Sequence, residues 1–281
     1  MVEPASPTLL LDDRAFCALV DEISRHFDAI GPRVRDFSIV LDTIEGADDL
    51  ATGVTLAQAP GRCTIAPLLD GDGRRFAWAV GPDSAKATQH PSEKLLFTAS
   101  VDGDGVHPHV PPQATADKPR ALIGLRPCDV AAATTLNNVL GDPGADRPFV
   151  VVVNCTDPGG TCFCASMGTG PAIPGAEADG QTDGVDIVLW ERSGDVDGAP
   201  EYLVTHCSQR GAEMLDALNT SKTDASHEQW AREALAESVE RMGRRLDTEQ
   251  LAERLTMTLG SERWDDIAQR CLSCGNCTMV C

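Results

Sequence analysis

The chain has 281 residues, of which 42% are hydrophobic, and its formal net charge is −20. This length allows one large domain or two ordinary ones, the composition excludes a disordered chain, and the acidic charge disfavours binding to nucleic acid or anionic membranes. No apolar run approaches the ~20 residues of a membrane span, and the first residues lack the basic and apolar regions of a signal peptide, which predicts a cytoplasmic protein without a membrane span.

Eleven cysteines stand in a chain that has no visible export signal. In a reducing cytosol, clustered cysteines are more often metal ligands or catalytic groups than partners in disulfides. The cysteines are therefore the first candidates for chemistry.

The first predicted element is an amphipathic helix. Asp12 or Asp13 can cap its start, and the helix is expected to run to about Phe27. Apolar residues recur at helical spacing along one face, which indicates that this face packs on a core: Phe16, Val20, Ile23 and Phe27.

Residues 28–120 are predicted to be mostly strand and loop. Residues 100–119 are rich in glycine, proline and aspartate, which predicts a loop that carries His107 and His109 on the surface. Three short strands, separated by glycine and aspartate, are indicated at 37–41, 61–65 and 76–80.

A strand–helix–strand unit follows. Residues 121–125 and 149–153 are continuous apolar runs, which are typical of strands buried on both faces. Between them, Asp129 can cap a helix that ends near Leu140. A crossover of this length places the two strands parallel in one sheet, so the pattern predicts a βαβ unit.

Four cysteines follow these two strands. Cys128 comes three residues after the first strand, Cys155 comes two residues after the second, and the loop that begins there adds Cys162 and Cys164. Because the carboxyl ends of parallel strands meet at one edge of a sheet, we expect the four thiols to converge there. The pattern predicts a metal–sulfur site, with thiols that merely pack, or a redox-active pair, as the alternatives.

The remainder of the chain before its cysteine-rich end is predicted to be a hairpin and then helices. Residues 185–190 and 201–205 have the pattern of two paired strands. From residue 224 the pattern is helical, and capping boxes are indicated at Ser226 and at Asp247, each followed three residues later by glutamine.

The last eleven residues carry four cysteines in the pattern C-x2-C-x2-C-x3-C, namely Cys271, Cys274, Cys277 and Cys281. Such a run holds iron–sulfur clusters in bacterial-type ferredoxins. Zinc is the competing interpretation, but zinc sites usually split their ligands into two pairs with a longer insert, whereas this run is unbroken. In two-cluster ferredoxins the fourth cysteine binds the other cluster, so we expect the chain to lack a continuation with a second cysteine run.

These patterns predict a fold of the α/β (α+β) class with a βαβ unit in its N-terminal body. The body is expected at 1–223, a helical linker at 224–270, and the start of a truncated ferredoxin-like iron–sulfur domain at 271–281.

The interior motifs and the tail together resemble a known family. Residues 126–129 and 154–171, with the tail run, resemble the dicluster iron–sulfur proteins that include the sulfhydrogenase beta subunit and the anaerobic sulfite reductase A subunit. The resemblance extends in order over residues 121–281. It implies a soluble multisubunit oxidoreductase, in which this chain relays electrons between a flavin- and NAD(P)-binding reductase subunit and a catalytic subunit.

The resemblance also implies 4Fe-4S clusters. Two belong to the complete ferredoxin-like end, where Cys271, Cys274 and Cys277 would bind one cluster and Cys281 would bind the other. We expect one further 4Fe-4S cluster in the body, held by the body cysteines, which are Cys128, Cys155, Cys162 and Cys164.

The favoured function is non-catalytic electron transfer beside a nickel–iron hydrogenase of the sulfhydrogenase type, and an anaerobic sulfite or sulfur reductase is the alternative complex. The chain has no Ser/His/Asp set, no P-loop and no strand followed by G-x-G-x-x-G, which agrees with a subunit that needs no proton-transfer catalyst. Two interpretations from other classes stay open. The body cysteines could form the active site of a thiol enzyme that acts on polysulfide, or the tail run could hold zinc for assembly alone.

Overall fold

The computed structural model describes residues 6–59, 62–69, 71–79, 85, 95, 97–109, 118–140, 147–173, 184–194 and 198–271. Within these ranges the chain has a mixed α/β fold with seven α-helices and an eight-stranded sheet. The predicted α/β class is confirmed at this level. The predicted ferredoxin-like end lies outside the described residues except for Cys271.

The strands are β1 (Leu9–Leu11), β2 (Asp28–Arg35), β3 (Ser38–Thr43), β4 (Val54–Ala59), β5 (Arg62–Pro67), β6 (Thr98–Asp102), β7 (Gly105–His109), β8 (Arg120–Leu125), β9 (Phe149–Val153), β10 (Ile187–Ser193), β11 (Pro200–His206) and β12 (Ser221–Lys222). The α-helices are α1 (Asp13–His26), α2 (Pro127–Leu140), α3 (Cys164–Met167), α4 (Gln209–Asp216), α5 (Ala225–Arg241), α6 (Leu251–Met257) and α7 (Glu262–Gln269).

The eight-stranded sheet is mixed and has the spatial order β12-β1-β11-β10-β9-β8-β2-β3. Its central strands β10, β9, β8 and β2 run parallel, and the outer strands pair antiparallel. The predicted βαβ unit is confirmed as β8, α2 and β9, and the predicted hairpin is confirmed as β10 and β11. The carboxyl ends of the four parallel strands therefore open on one edge of the sheet.

Both faces of the sheet are buried. Ile123 and Val151 belong to the apolar cluster that includes residues of α1 and α4, whereas Leu122 and Val152 belong to the cluster that includes residues of α2 and α5. Every position of a central strand then needs an apolar side chain, which explains the continuous apolar runs in β8 and β9. The result is a sheet between two helical layers.

Helix α1 forms as the sequence predicts. The Asp12 carboxylate caps it by accepting a hydrogen bond from the Ala15 N–H at 2.7 Å. Phe16, Val20 and Ile23 of the apolar stripe are buried, whereas Phe27, just beyond the helix, is partly buried. The Phe16 ring stacks on Tyr202 with the ring centroids 3.9 Å apart. This stacking joins α1 to β11 across the core.

Both predicted capping boxes are wrong. Helix α5 begins two residues early, because the Asp224 carboxylate accepts from the N–H groups of Ser226 and His227, and His227 completes the box. Helix α6 begins at Leu251 without a side-chain cap, since Gln250 before it has a positive φ of 51°.

The strand predicted at 76–80 is wrong for 76–79, the part that the structure describes. These residues are buried but lie in no strand. Glu191 accepts from the N–H groups of Arg75 and Phe76, each at 2.7 Å, and the Arg126 guanidinium donates to the carbonyls of Phe76 and Trp78. Side chains from distant positions therefore replace a neighbouring strand as hydrogen-bond partners.

The loop predicted at 100–119 is wrong over its first part. Strands β6 and β7 pair there as an antiparallel hairpin. Gly105, with a φ of 132°, lies where the second strand begins, so a glycine that suggested a loop serves the hairpin turn. Residues 110–117 lie outside the described residues. The two histidines of this segment are exposed, as predicted: His107 and His109.

Apolar side chains remain exposed around the last two helices. Met257 is 85% exposed, Leu259 is 72% exposed, and Trp264 and Ile267 are each more than a third exposed. Such a concentration of apolar surface is typical of a region that another surface covers. None of the helices in the described ranges combines the length and the apolar character that crossing a membrane requires.

A β-bulge interrupts β8 at Gly124. The pairing with β9 shifts between Ile123 and Leu125, and Gly124 has a positive φ of 85°. The bulge places Leu125 in the same apolar cluster as Leu122 and leaves room for the Phe76 ring beside the backbone. It therefore sets the direction in which the chain leaves the sheet.

We expect Gly124→Ala to lower the free energy of unfolding by about 3 kcal/mol, because alanine disfavours this φ and its Cβ would lie 2.7 Å from the Phe76 ring. Chemical denaturation measures the change. Gly184→Ala is the control, because Gly184 has a φ of 89° and an added Cβ would meet no heavy atom of the described residues within 4 Å. The control should lose only the free energy that alanine costs at a positive φ, roughly 1–2 kcal/mol. Equal losses in the two variants would contradict the steric argument.

Candidate metal centre

The four body cysteines come from three local structures at the carboxyl edge of the sheet. Cys128 lies in the first turn of α2, and Cys155 lies two residues beyond β9. Cys162 lies in the following loop, and Cys164 is the first residue of α3. Parallel pairing of β8 and β9 brings these positions to one place, as the sequence argument requires.

The four thiols influence one another. The Cys128 thiol and the Cys164 sulfur form a hydrogen bond, and Cys155 lies within electrostatic reach of the other three. None of the four forms a disulfide. Among the described residues, no set of three or more Cys, His, Asp or Glu side chains is arranged to hold a metal ion. The structure thus gathers the thiols without the spacing of a formed coordination sphere.

The protonation of the four thiols differs with their surroundings. Burial raises the pKa of Cys155 to about 11 and also raises the pKa of Cys162. The hydrogen bond to Cys164, with burial added, holds the pKa of Cys128 well above its usual range. The same hydrogen bond lowers the pKa of Cys164. Cys164 is therefore the thiol of the group that loses its proton most readily, and Cys128 donates a hydrogen bond to the resulting thiolate.

The donor set fits a thiolate-bound metal. Four cysteine sulfurs are the ligands that zinc and iron–sulfur clusters share. The backbone supports two of the sulfurs, because the Gly159 N–H donates to Cys162 Sγ at 3.3 Å and the Ala165 N–H donates to Cys164 Sγ. Backbone N–H bonds of this kind stabilise negative charge on sulfur.

The cysteine loop is tied to the sheet at both ends. The Cys155 N–H donates to the Pro171 carbonyl at 2.8 Å. The buried Asn154 side chain accepts from the Ile173 N–H at 2.9 Å. These bonds hold residues 155–171 as a closed loop over the sheet edge, so the three cysteines inside it cannot leave the edge without breaking them.

The end of α5 and the segment after it are hydrogen-bonded to this loop. The buried Ser238 hydroxyl donates to the Cys155 carbonyl at 2.7 Å, and the Arg244 N–H donates to the Cys162 carbonyl at 3.2 Å. The linker therefore contacts the backbone of two of the four cysteines. Two further bonds extend the contact, from Arg241 to the Thr156 carbonyl and from the Leu246 N–H to the Ser166 hydroxyl.

Sequence reasoning missed this contact. The sequence predicts a helical linker at 224–270, and most side chains of its first part, residues 225–246, are charged or polar. Ser238 and Gly243 are small residues in that segment, and their size was the available signal for a close approach to another backbone. Neither residue has a periodic pattern that would have indicated its partner.

Sequence reasoning also missed two buried charged residues near the site. Arg126 is 1% exposed and lies over the Trp78 ring, with its guanidinium carbon 4.8 Å from the ring centroid. Glu191 is 3% exposed on β10. In the sequence, Arg126 lies in a predicted turn and Glu191 follows a predicted strand. Neither residue belongs to a motif whose spacing would indicate burial or a partner.

The tail site is described in one residue alone. Cys271 is exposed, and Cys274, Cys277 and Cys281 lie outside the described residues. The ferredoxin-like ligand set of the tail therefore stays a prediction. The division of the chain at 223 and 270 stays a prediction as well, although α5 adds Ala231 and Leu235 to the core of the body.

We expect Glu191→Gln to change how stability depends on pH. Burial raises the pKa of Glu191 from its ordinary value of 4.5 to about 7. The folded state then holds this proton more tightly than the unfolded chain, so wild-type stability falls as pH rises from about 4.5 to 7, by about 3 kcal/mol from this group. The variant should lack that part of the slope in denaturation curves measured across the window. A constant offset between the two proteins would contradict the prediction.

We expect Gly243→Ala to loosen the linker from the cysteine loop, because an added Cβ would collide with the Gly160 carbonyl. The predicted loss is roughly 1–3 kcal/mol of unfolding free energy, with faster amide exchange in residues 155–167. Hydrogen–deuterium exchange measures it. Gly260→Ala is the control, because an added Cβ there would lie more than 4 Å from every heavy atom in the part of the chain that the structure describes. Unchanged exchange in the loop would show that the contact does not hold it.

The chain is similar to the sulfhydrogenase 2 subunit beta of Pyrococcus furiosus, with 30% identity over 191 residues. The aligned region covers 64% of this chain and 48% of the relative, so the chain spans about half the length of the curated relative that it matches. No protein-family model matches the chain, and no solved structure matches it. The similarity supports, at the level of the family, the resemblance seen in the cysteine motifs.

Proposed function

We propose that this chain is an iron–sulfur electron-transfer subunit of a hydrogenase-type oxidoreductase complex. The observation that carries the proposal is the gathering of four cysteine thiols at one sheet edge, onto which the linker toward a second cysteine run is hydrogen-bonded. The similarity to a sulfhydrogenase beta subunit indicates the kind of complex that we propose. The complex is proposed to work in the cytoplasm.

The body residues that would hold a 4Fe-4S cluster are Cys128, Cys155, Cys162 and Cys164. Such a cluster, when bound, supplies one-electron transfer without a change in covalent bonds. The chain contributes the four sulfurs, N–H donors aimed at two of them, and a buried setting in which Cys155 is 8% exposed. No side chain is required to move a proton.

The linker contact supports a relay between two ends of the chain. Ser238 and Arg244 fix the start of the linker on the cysteine loop, and α6 and α7 lead from there to Cys271. We propose that the tail run completes the relay, with Cys271, Cys274 and Cys277 holding one cluster and Cys281 serving another. The proposed division remains a body at 1–223, a linker at 224–270 and an iron–sulfur end at 271–281.

The proposed partners are a flavin- and NAD(P)-binding reductase subunit and a hydrogenase catalytic subunit, with a sulfite-reductase catalytic subunit as the alternative. The exposed apolar residues around α6 and α7 support an association, because a partner that covers Met257, Leu259 and Trp264 would remove apolar surface from water. This surface lies beside the tail run in sequence.

A second candidate function is thiol chemistry at the same edge. The lowered pKa of Cys164 favours it, since the Cys128 thiol donates a hydrogen bond to that sulfur. The Cys164 thiolate would attack a sulfur atom of a polysulfide, form a persulfide on Cys164 and release the shortened polysulfide anion. This reaction needs one accessible thiolate and no bound iron.

We expect the full chain with the four tail cysteines changed to serine to contain about four iron atoms and four sulfides per chain when it is prepared anaerobically. Cys155→Ser in that background should lose both, because it removes a buried ligand. Cys207→Ser is the control, because Cys207 is also buried but lies after β11. Elemental and sulfide analysis measures the content.

The other outcomes of this experiment oppose the proposal. Zinc in place of iron would favour a site that serves assembly alone. A metal-free chain whose polysulfide reaction is lost in Cys164→Ser would favour the thiol enzyme.

A further inference from the structure

Arg126 is a buried cation for which the described residues offer no ion pair. Its side chain is 1% exposed, and the salt bridges of the described residues do not include it. Its Nε–H is buried and has no hydrogen-bond partner. A buried charge without a counter-charge is strongly unfavourable, so the fold needs a reason to retain it.

The partners that hold the guanidinium are neutral. Arg126 donates to the carbonyls of Phe76 and Trp78, reaches the Val153 carbonyl at 3.5 Å, and lies over the Trp78 ring. These contacts fix where the guanidinium lies, but they do not cancel its charge. They place it at the carboxyl ends of β8 and β9, on the side where the cysteine loop begins.

The cysteine thiols at this edge are the candidates for the missing counter-charge. The guanidinium reaches the Val153 carbonyl, two residues before Cys155, and Arg126 itself lies two residues before Cys128. Glu191 is the other acidic group that this charge reaches. However, the Glu191 oxygens are occupied by the N–H groups of Arg75 and Phe76 at 2.7 Å, and Glu191 forms no salt bridge with Arg126 among the described contacts.

We infer that Arg126 is the built-in positive counter-charge of the cysteine centre and stabilises its more negative, reduced state. The inference rests on the proposed function, since it requires thiolates that bind an iron–sulfur cluster in the body. It adds the residue that sets the reduction potential of that centre.

The sign of the effect follows from charge. A bound iron–sulfur centre with four thiolates would carry a net negative charge, and one electron received from the flavin-containing partner or from the tail centre would add one more. Arg126 would attract the reduced state more strongly than the oxidised state and so raise the reduction potential. The electron would later leave to the acceptor.

The test uses the full chain with the four tail cysteines changed to serine, so that the body centre alone titrates. We expect Arg126→Gln to retain iron and to have a lower reduction potential. At the wild-type midpoint, its ratio of oxidised to reduced centre should rise at least tenfold, which for one electron corresponds to about 59 mV. A redox titration followed by electron paramagnetic resonance measures the ratio.

Two matched variants separate charge from structure. Arg192→Gln removes the same charge from a guanidinium that pairs with Glu201 at 2.7 Å, and its ratio should stay at the wild-type value. Arg126→Lys keeps the charge but replaces the planar group, and its ratio should stay within threefold of wild type. Iron content is measured for every variant.

Each outcome bears on the inference. Full iron in Arg126→Gln with an unchanged ratio overturns the role of Arg126 and leaves the proposed function intact, whereas a wild-type body without iron overturns both. If Arg126→Gln loses its iron, the lysine variant decides. Retained iron with a near wild-type ratio supports a charge role, and lost iron assigns Arg126 to holding the 76–78 backbone alone.

Discussion

Residues 75–78 are buried and lie in no strand of the described sheets, and two charged side chains pair with four of their backbone groups. Glu191 from β10 accepts from the N–H groups, and Arg126 at the end of β8 donates to the carbonyls. Leaving these groups unpaired would cost about as much as losing several hydrogen bonds. The position of Arg126 depends on this arrangement, and so does the start of the turn that leads to Cys128.

The same arrangement explains the bulge in β8. Phe76 lies against the backbone of Gly124, where a side chain would collide with its ring. The strand therefore ends with a change of register, and the chain enters the turn that carries Arg126 and Cys128 from a shifted position. The bulge in the strand and the burial of the 75–78 segment therefore depend on each other, because the Phe76 ring packs where the bulge leaves room.

The two edges of the parallel strands are built differently. At the amino edge, the fully buried Asp186 is paired with Arg147 at 2.9 Å and Arg210 at 2.8 Å, and it accepts from the Val150 N–H. Charge there is neutralised within the chain. At the carboxyl edge, the buried Arg126 guanidinium is held by backbone carbonyls and forms no salt bridge among the described residues, on the side where ligands of parallel sheets are found.

The parts of the fold that the sequence predicted are those with a local pattern. The helix at Asp13–His26 and the βαβ unit follow from periodicity and from the handedness of crossovers, and they bring Cys128 and Cys155 to one edge. The burial of 76–79 and the contact of Ser238 with the cysteine loop depend on bonds between distant side chains and backbone. Such bonds leave no periodic trace in the sequence, so a strand was predicted for the first and a simple linker for the second.

The linker contact couples two events that a modular description would treat as separate. Ser238 and Arg244 donate hydrogen bonds to the carbonyls of cysteine residues. The free energy of holding the loop in this shape therefore depends on whether the linker is docked. A ligand that binds the sulfurs and stabilises the loop also stabilises the docked linker. By reciprocity, a docked linker strengthens the binding of that ligand. Binding at the sulfurs and docking of the linker then form one cooperative transition, so a chain whose loop is unliganded holds its linker less firmly.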